Sequence, residues 1–392
     1  MRRVLMIPPA AWLIGSLIGY VSLAWSASLW ANWGGLFGLY QFTPDVWLGL
    51  GYVGLISLLY AFYWRVSVQL NQGEWQPSIA QLFSVSAVLA IPTAFVYPFN
   101  ANDIFRYALR GRITAIYDGN PYTQPPSQFP QDFFTALAGE WVTATTPYGP
   151  VWELIAAVVA WLGQHALFWH VILLKFVSLA AFWGIGWLIW QAMAENEASH
   201  RLRYTFLWWG NPALLLTFGV DGHNDSLMLF WLVLGWVVWR IGRQHLDWRW
   251  LWFGLLIMWL APLTKVIALL AIPFFAIASW RVLPTWRDRL ILAFVTAMSY
   301  AASAVLIFLP FGSVATYIAR LANEATGGVS FSPVAMVILA TRALGYSFNF
   351  GGIGPYLLVG LALVAFVLGI LTWWPGRNPE RGAADLLFAY TT

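Results

Sequence analysis

Apolar runs of about 20 residues recur along the whole chain, and no other feature restricts its folding so tightly. Each run is long enough to cross a hydrocarbon core roughly 30 Å thick. Inside lipid every backbone N–H and C=O must be satisfied within the protein, which leaves helices or a closed barrel. The runs are continuous rather than alternating, so they are helices. Composition agrees. Of 392 residues, 60% are hydrophobic and 9% charged, against about 25% charged in an ordinary soluble domain. The 27 Trp and 16 Tyr suit the bilayer interface. The net charge of +4 comes from short arginine clusters and not from a basic face, so no nucleic-acid partner is expected. Without cysteine there is no disulfide, thiolate chemistry or Cys-ligated metal.

The expected spans are 4–25, 46–64, 80–98, 150–163, 166–190, 204–219, 226–240, 250–263, 264–281, 289–311, 333–345 and 354–374. Arg2 and Arg3 precede a first span, not a cleaved leader. Arg65, Arg201, Arg203, Arg240, Arg243, Arg249, Arg281, Arg287, Arg289, Arg377 and Arg381 lie between spans, and the positive-inside rule makes these connections cytoplasmic. The loop 99–149, the turn 219–225 and the surroundings of Lys265 then share the external face. One segment resists this scheme. Residues 150–190 must cross an odd number of times yet read as two helices, so either 150–163 is not a full crossing or the 191–203 loop is external. The chain 1–392 is treated as one transmembrane domain, and Asp385 to Thr392 read like the opening of another span, so the natural chain is expected to continue.

The loop 99–149 far exceeds the usual connection of about 4–6 residues, and long loops on rigid scaffolds carry function. Asn102 or Asp103 is placed to cap a short helix on which Asp103, Arg106, Tyr107 and Arg110 share one face, at offsets of three, four and seven. Two guanidiniums beside a carboxylate keep it ionised. They also offer planar forks to a phosphate. An interfacial cap with headgroup-binding arginines would use the same residues.

A second cluster runs Asp221-Gly222-His223-Asn224-Asp225 between two apolar spans, where polar groups need a cavity or partners. A polar surface turn is the plainer reading. Asp221, His223 and Asp225 could also ligate a metal, but one His with carboxylates and no fourth ligand is a weak zinc pattern. Lys265, in apolar surroundings after Pro262-Leu263-Thr264, must snorkel or meet an anion such as a lipid phosphate; Lys175, inside a span, raises the same question. His165, His170, His200 and His245 read as structural. Tyr317, Arg320 and Glu324 are spaced to share a helix face in the loop 312–332, either at a substrate site or on an ordinary surface helix.

The order Asn102-Asp103, Arg106-Tyr107, Gly111-Arg112, Gly119-Asn120-Pro121-Tyr122 and Pro147-Tyr148-Gly149-Pro150, followed by Asn211-Pro212, His223-Asn224-Asp225 and Lys265, resembles bacterial polyprenyl-phosphate-mannose-dependent mannosyltransferases. Among these it is similar to the actinobacterial α-1,6-mannosyltransferases of lipomannan and lipoarabinomannan assembly, within the GT-C superfamily. The motifs cover about residues 97–270. The resemblance implies an all-α polytopic bundle of about 11–13 transmembrane helices with a long first external loop, in a bacterial plasma membrane. It implies a polyprenyl-phosphate sugar donor, most simply mannose, and a glycolipid or glycan acceptor. It implies inverting transfer with Asp103 as the base and no cofactor or metal. Lys265, Arg106 and Arg110 are candidates for the donor phosphate, and Asn102, Tyr107, Tyr122, Tyr148, His223, Asn224 and Asp225 for the substrates. A lipid or sugar transporter is the rival reading, since broken spans and intramembrane charge occur there too. Against it, no inverted repeat is visible and the polar residues gather at one face. A membrane scaffold would need neither Asp103 nor the His223 turn.

Overall fold

The structure, a computed structural model, describes residues 8–27, 29 and 46–318. The expected spans 333–345 and 354–374, together with Arg2, Arg3, Arg320, Glu324, Arg377, Arg381 and the segment 385–392, lie outside the described residues. What is described is helical: α1 Pro9–Ser26, α2 Val46–Asn71, α3 Ile79–Ala94, α4 Asp103–Ala115, α5 Pro150–Gly163, α6 Leu167–Ala192, α7 Ala198–Trp209, α8 Asp225–His245, α9 Trp248–Trp259, α10 Ile272–Val282 and α11 Trp286–Phe308. Five of these segments (Pro9–Ser26, Gly49–Asn71, Leu167–Ala192, Asp225–His245 and Trp286–Phe311) are long and apolar enough to cross a membrane. The chain is an all-α polytopic membrane protein.

Helix boundaries follow local chemistry. Ser78 and Gln81 close a capping box that starts α3. Asp247 and Thr285 cap α9 and α11 with their side chains. The expected span 204–219 is broken: α7 stops at Trp209, Asn211 caps a fresh turn from Pro212, and a π-helical turn, Leu216–Val220, leads into the polar cluster. Proline at a helix start costs no hydrogen bond, and a π turn is a frequent companion of functional sites.

Contacts sort the connections onto two faces. On the arginine-rich face Arg203 reaches Asn71, Arg201 reaches the Trp190 carbonyl and Arg240 the Ala192 carbonyl. On the opposite face, called here the loop face, Tyr97 N–H donates to Ala27 O, Asn120 donates to Phe311 O, and Asn100 holds Asp221.

This arrangement bears on the segment 150–190. At the start of α5, Gly149 and Val151 N–H donate to the Thr264 and Leu263 carbonyls. At its end the Gln164 carbonyl accepts from Arg112, a residue of α4 whose guanidinium is paired with Asp132. Both ends of α5 therefore meet loop-face groups, as expected of a helix that does not cross. Helix α6, long and apolar enough to cross, runs from His170, packed on Phe134, to Ala192 on the arginine-rich face.

The loop carries its own core. Ile104, Phe105, Tyr107, Ala108 and Leu109 of α4 are buried with Phe134, Trp152, Val171 and Leu174. At the α4–α5 crossing a Cβ on Gly111 would sit 2.1 Å from the Ala156 carbonyl oxygen, so only glycine allows this approach. The helix 103–115 is thus wedged into the bundle, not laid on its surface.

Candidate active site

Two helix starts meet at the loop face. Helix α4 begins at Asp103 and α8 at Asp225, so each carboxylate sits in the first turn of its helix, where the dipole favours negative charge. Asn102 occupies the position before α4, but its side chain does not cap; it accepts from Arg106 Nη2 at 3.1 Å.

The same Arg106 Nη2 lies 2.5 Å from Asp103 Oδ1, and its guanidinium covers the Trp141 ring at 4.7 Å. Tyr148 OH also donates to Asp103 Oδ1, at 3.2 Å. Oδ2 of Asp103 faces His223 Nδ1 at 3.9 Å, and that nitrogen stands 3.7 Å from Asp225 Oδ2. The other Asp225 oxygen accepts from Lys265 Nζ at 2.7 Å. Each carboxylate therefore commits one oxygen to a cation and turns the other toward His223. The separations of 3.7 and 3.9 Å exceed hydrogen-bonding distance. Asp103, His223, Asp225 and Lys265 all remain partly open to solvent.

Behind this row lies a buried layer. Tyr107 OH donates to Tyr148 OH at 3.4 Å, and Tyr122 OH to the Tyr148 carbonyl at 3.0 Å. Burial, then the Asp103 charge, push the Tyr148 phenol well above its ordinary value, so it stays protonated as a donor. Arg110 is 2% exposed and lies over the Tyr148 ring at 5.7 Å. Burial lowers its affinity for a proton while Glu153 opposes that shift. Arg110 is thus behind Tyr148, not beside the open carboxylates. Asn224 is fully buried, and its amide has no hydrogen bond among the described residues.

Asp221 takes a different part from its neighbours. Asn100 N–H and Nδ2 hold its two oxygens at 3.2 and 3.0 Å, joining the start of the loop to the 221–225 turn. Burial raises its pKa to about 6, against the pull of Asn100, His223 and Lys175. Lys175 donates to the Val96 carbonyl nearby. Among the described residues no three His, Cys, Asp or Glu side chains form a metal-holding group.

The structure thus gathers Asp103, Arg106, Tyr148, His223, Asp225 and Lys265 into one row. Asn102, Tyr107, Tyr122 and Arg110 support it, and Asn224 lies buried at the start of α8. Sequence reasoning missed Trp141, Thr146 and Glu153. Trp141 and Thr146 sit in unpatterned loop sequence, but a lone Glu153 in an apolar stretch was a readable signal.

Fold and site together define a polytopic helical membrane protein with an ionisable cluster at one mouth of its bundle. The chain belongs to the family described as alpha-(1->6)-mannopyranosyltransferase, N-terminal domain, whose family model matches residues 6–281. It is 22% identical over 318 residues to alpha-(1->6)-mannopyranosyltransferase A of Mycobacterium tuberculosis, covering 76% of this chain and 58% of that one. It is 26% identical over 144 residues to the enzyme of the same name from Corynebacterium glutamicum, covering 36% of this chain and 28% of that one. It is 24% identical over 256 residues to alpha-(1->6)-mannopyranosyltransferase B of Corynebacterium glutamicum, covering 61% and 41%. The matches span at most 58% of these relatives' lengths. No solved structure matches the chain.

Proposed function

We propose that the chain transfers mannose from a polyprenyl phosphate to a hydroxyl of a glycolipid or glycan, with inversion, and that Asp103 is the general base. The observation that carries this reading is the row itself: a carboxylate with one oxygen held by Arg106 and Tyr148 and the other facing His223 beyond hydrogen-bonding distance, in line with the Asp225–Lys265 pair. The acceptor hydroxyl gives its proton to Asp103 Oδ2 as its oxygen attacks the anomeric carbon. The bond from that carbon to the phosphate oxygen breaks, and its electron pair leaves with the lipid phosphate. Lys265 and Arg106 take up the phosphate charge, Lys265 exchanging Asp225 for it and Arg106 using its other N–H groups while Nη2 stays on Asp103; preorganised cations of this kind are an effective source of transition-state stabilisation. Arg110 contributes from behind Tyr148, and the scheme routes no step through a metal. His223 and Asp225 hold sugar hydroxyls. The polyprenyl tail stays in the bilayer while its head reaches the site at the external face of a bacterial plasma membrane.

The test is transfer by purified protein in liposomes from polyprenyl-phosphate mannose to a panel of glycolipids, beside Asp103→Asn. The expected loss in the variant is about 10²–10⁴-fold with folding intact. An Asp103→Asn protein as active as wild type would remove the base assignment, and an inert wild type would move weight to another polyprenyl-linked sugar and then to transport.

A further inference from the structure

The two oxygens of Asp103 are not equivalent, and the difference traces back to the buried residues Thr146 and Glu153. Arg106 Nη2 and Tyr148 OH both bind Oδ1. Tyr148 has one hydroxyl proton, and because Tyr107 OH donates to its oxygen, that proton is directed at Asp103. The carboxylate plane is thereby fixed with Oδ2 toward His223, beyond hydrogen-bonding distance of it. Fixing it requires Tyr148 to be held, and its backbone is gripped by an unusual pair. Thr146 Oγ1 donates to Glu153 Oε1 at 2.5 Å, and the same oxygen accepts from Tyr148 N–H at 3.2 Å. A threonine hydroxyl has a single proton. By taking it, Glu153 leaves the oxygen lone pairs for the Tyr148 amide. Thr146 is fully buried and Glu153 is 1% exposed, so water does not compete for either bond.

We propose that Thr146, oriented by Glu153, is the positioning residue that sets Tyr148 on Asp103 and so leaves Oδ2 alone to receive the acceptor's proton. The relay runs Glu153, Thr146, Tyr148, Asp103. It rests on the reading of Asp103 as the base, and it assigns to Thr146 and Glu153 a share in the chemistry and not only in loop packing. It also separates two kinds of effect: loss of Thr146 Oγ1 reaches Asp103 through Tyr148, while Lys265 and Arg106 keep their places for the donor phosphate.

The experiment compares kcat and donor KM, with polyprenyl-phosphate mannose as donor, for wild type, Thr146→Val, Thr146→Ser, Tyr148→Phe and the double variant Thr146→Val/Tyr148→Phe. A hydrogen bond to a charged group accounts for about 10- to 100-fold in rate. Thr146→Val and Tyr148→Phe should each lower kcat by that amount with donor KM unchanged. Thr146→Ser, which keeps the hydroxyl, should recover the rate. The double variant should fall no further than Tyr148→Phe, because both changes remove the same contact. A double variant whose loss equals the product of the single losses overturns the proposal, as does a Thr146→Ser protein as slow as Thr146→Val. If Thr146→Val does not fold, Tyr148→Phe still decides: full kcat in that variant overturns the relay. A wild type that uses no polyprenyl-linked donor would instead remove the underlying reading, an outcome seen before any variant is compared.

Discussion

Lys265 and Asp225 form a 2.7 Å ion pair in which each side chain is about one-third exposed. Water and salt screen such a pair, so breaking it costs about 0–1 kcal/mol. Lys265→Met should therefore keep the fold. If Lys265 receives the donor phosphate, the same change should raise donor KM by about 10- to 100-fold, the weight of a charge-assisted hydrogen bond. Unchanged donor KM would take Lys265 out of the phosphate site. Asp221 makes a prediction in pH. Its folded pKa of about 6 lies above the unfolded value of about 3.9, so the folded state binds the proton more tightly. Its contribution to stability therefore rises as pH falls through 6 and is lost as pH rises. Between pH 7 and pH 5 wild type should gain on the order of 1 kcal/mol relative to Asp221→Asn. Melting curves at both pH values measure the difference, and a constant offset would show that Asp221 does not titrate in this range.

At the scale of elements the loop face depends on backbone approaches. Gly149 N–H bonds the Thr264 carbonyl, and a Cβ on Gly149 would meet the Leu263 carbonyl oxygen at 2.1 Å. Gly149→Ala should shift this clasp and destabilise the protein by about 1–3 kcal/mol, the range of an overpacked site, and it should slow transfer because Tyr148 is the preceding residue. Melting temperature and kcat check both halves, and a wild-type melting curve would sink the first. The sequence made parts of this legible and hid others. The face shared by Asp103, Arg106, Tyr107 and Arg110 could be read from helical spacing, but not that the face is divided, with Arg106 at the open row and Arg110 buried behind Tyr148. Which of two arginines on one face meets water depends on what packs over it, here Tyr148 and the α5 side chain Glu153. The status of 150–163 was likewise ambiguous, since length and apolarity suit a short crossing and a buried juxtamembrane helix equally. Only its contacts at both ends decide. The pairing of Lys265 with Asp225 lies 40 residues apart in sequence, beyond any local pattern.

For the whole molecule, a non-crossing α5 puts residues 118 and 165 on one side of the membrane and residue 196 on the other. The chain contains no cysteine, so single introduced thiols report cleanly. Asp118, His165 and Asn196 are all exposed. In oriented vesicles Asp118→Cys and His165→Cys should label with an impermeant reagent from the same side, and Asn196→Cys from the opposite side. Labelling of positions 118 and 165 from opposite sides would mean that α5 crosses after all.

The clasp between Gly149–Val151 and Leu263–Thr264 has a consequence for how such a site can change over time. Tyr148 adjoins one partner of the clasp and Lys265 the other, and the bonds between them are main-chain bonds. The spacing of Tyr148 from Lys265 is thus written in backbone, and Gly149, where a Cβ would meet the Leu263 carbonyl oxygen at 2.1 Å, is the position at which a side chain would shift it. Side chains around the row can change while that spacing stays constant. The lining and the spacing are in this sense inherited separately, one through side chains and the other through the fold.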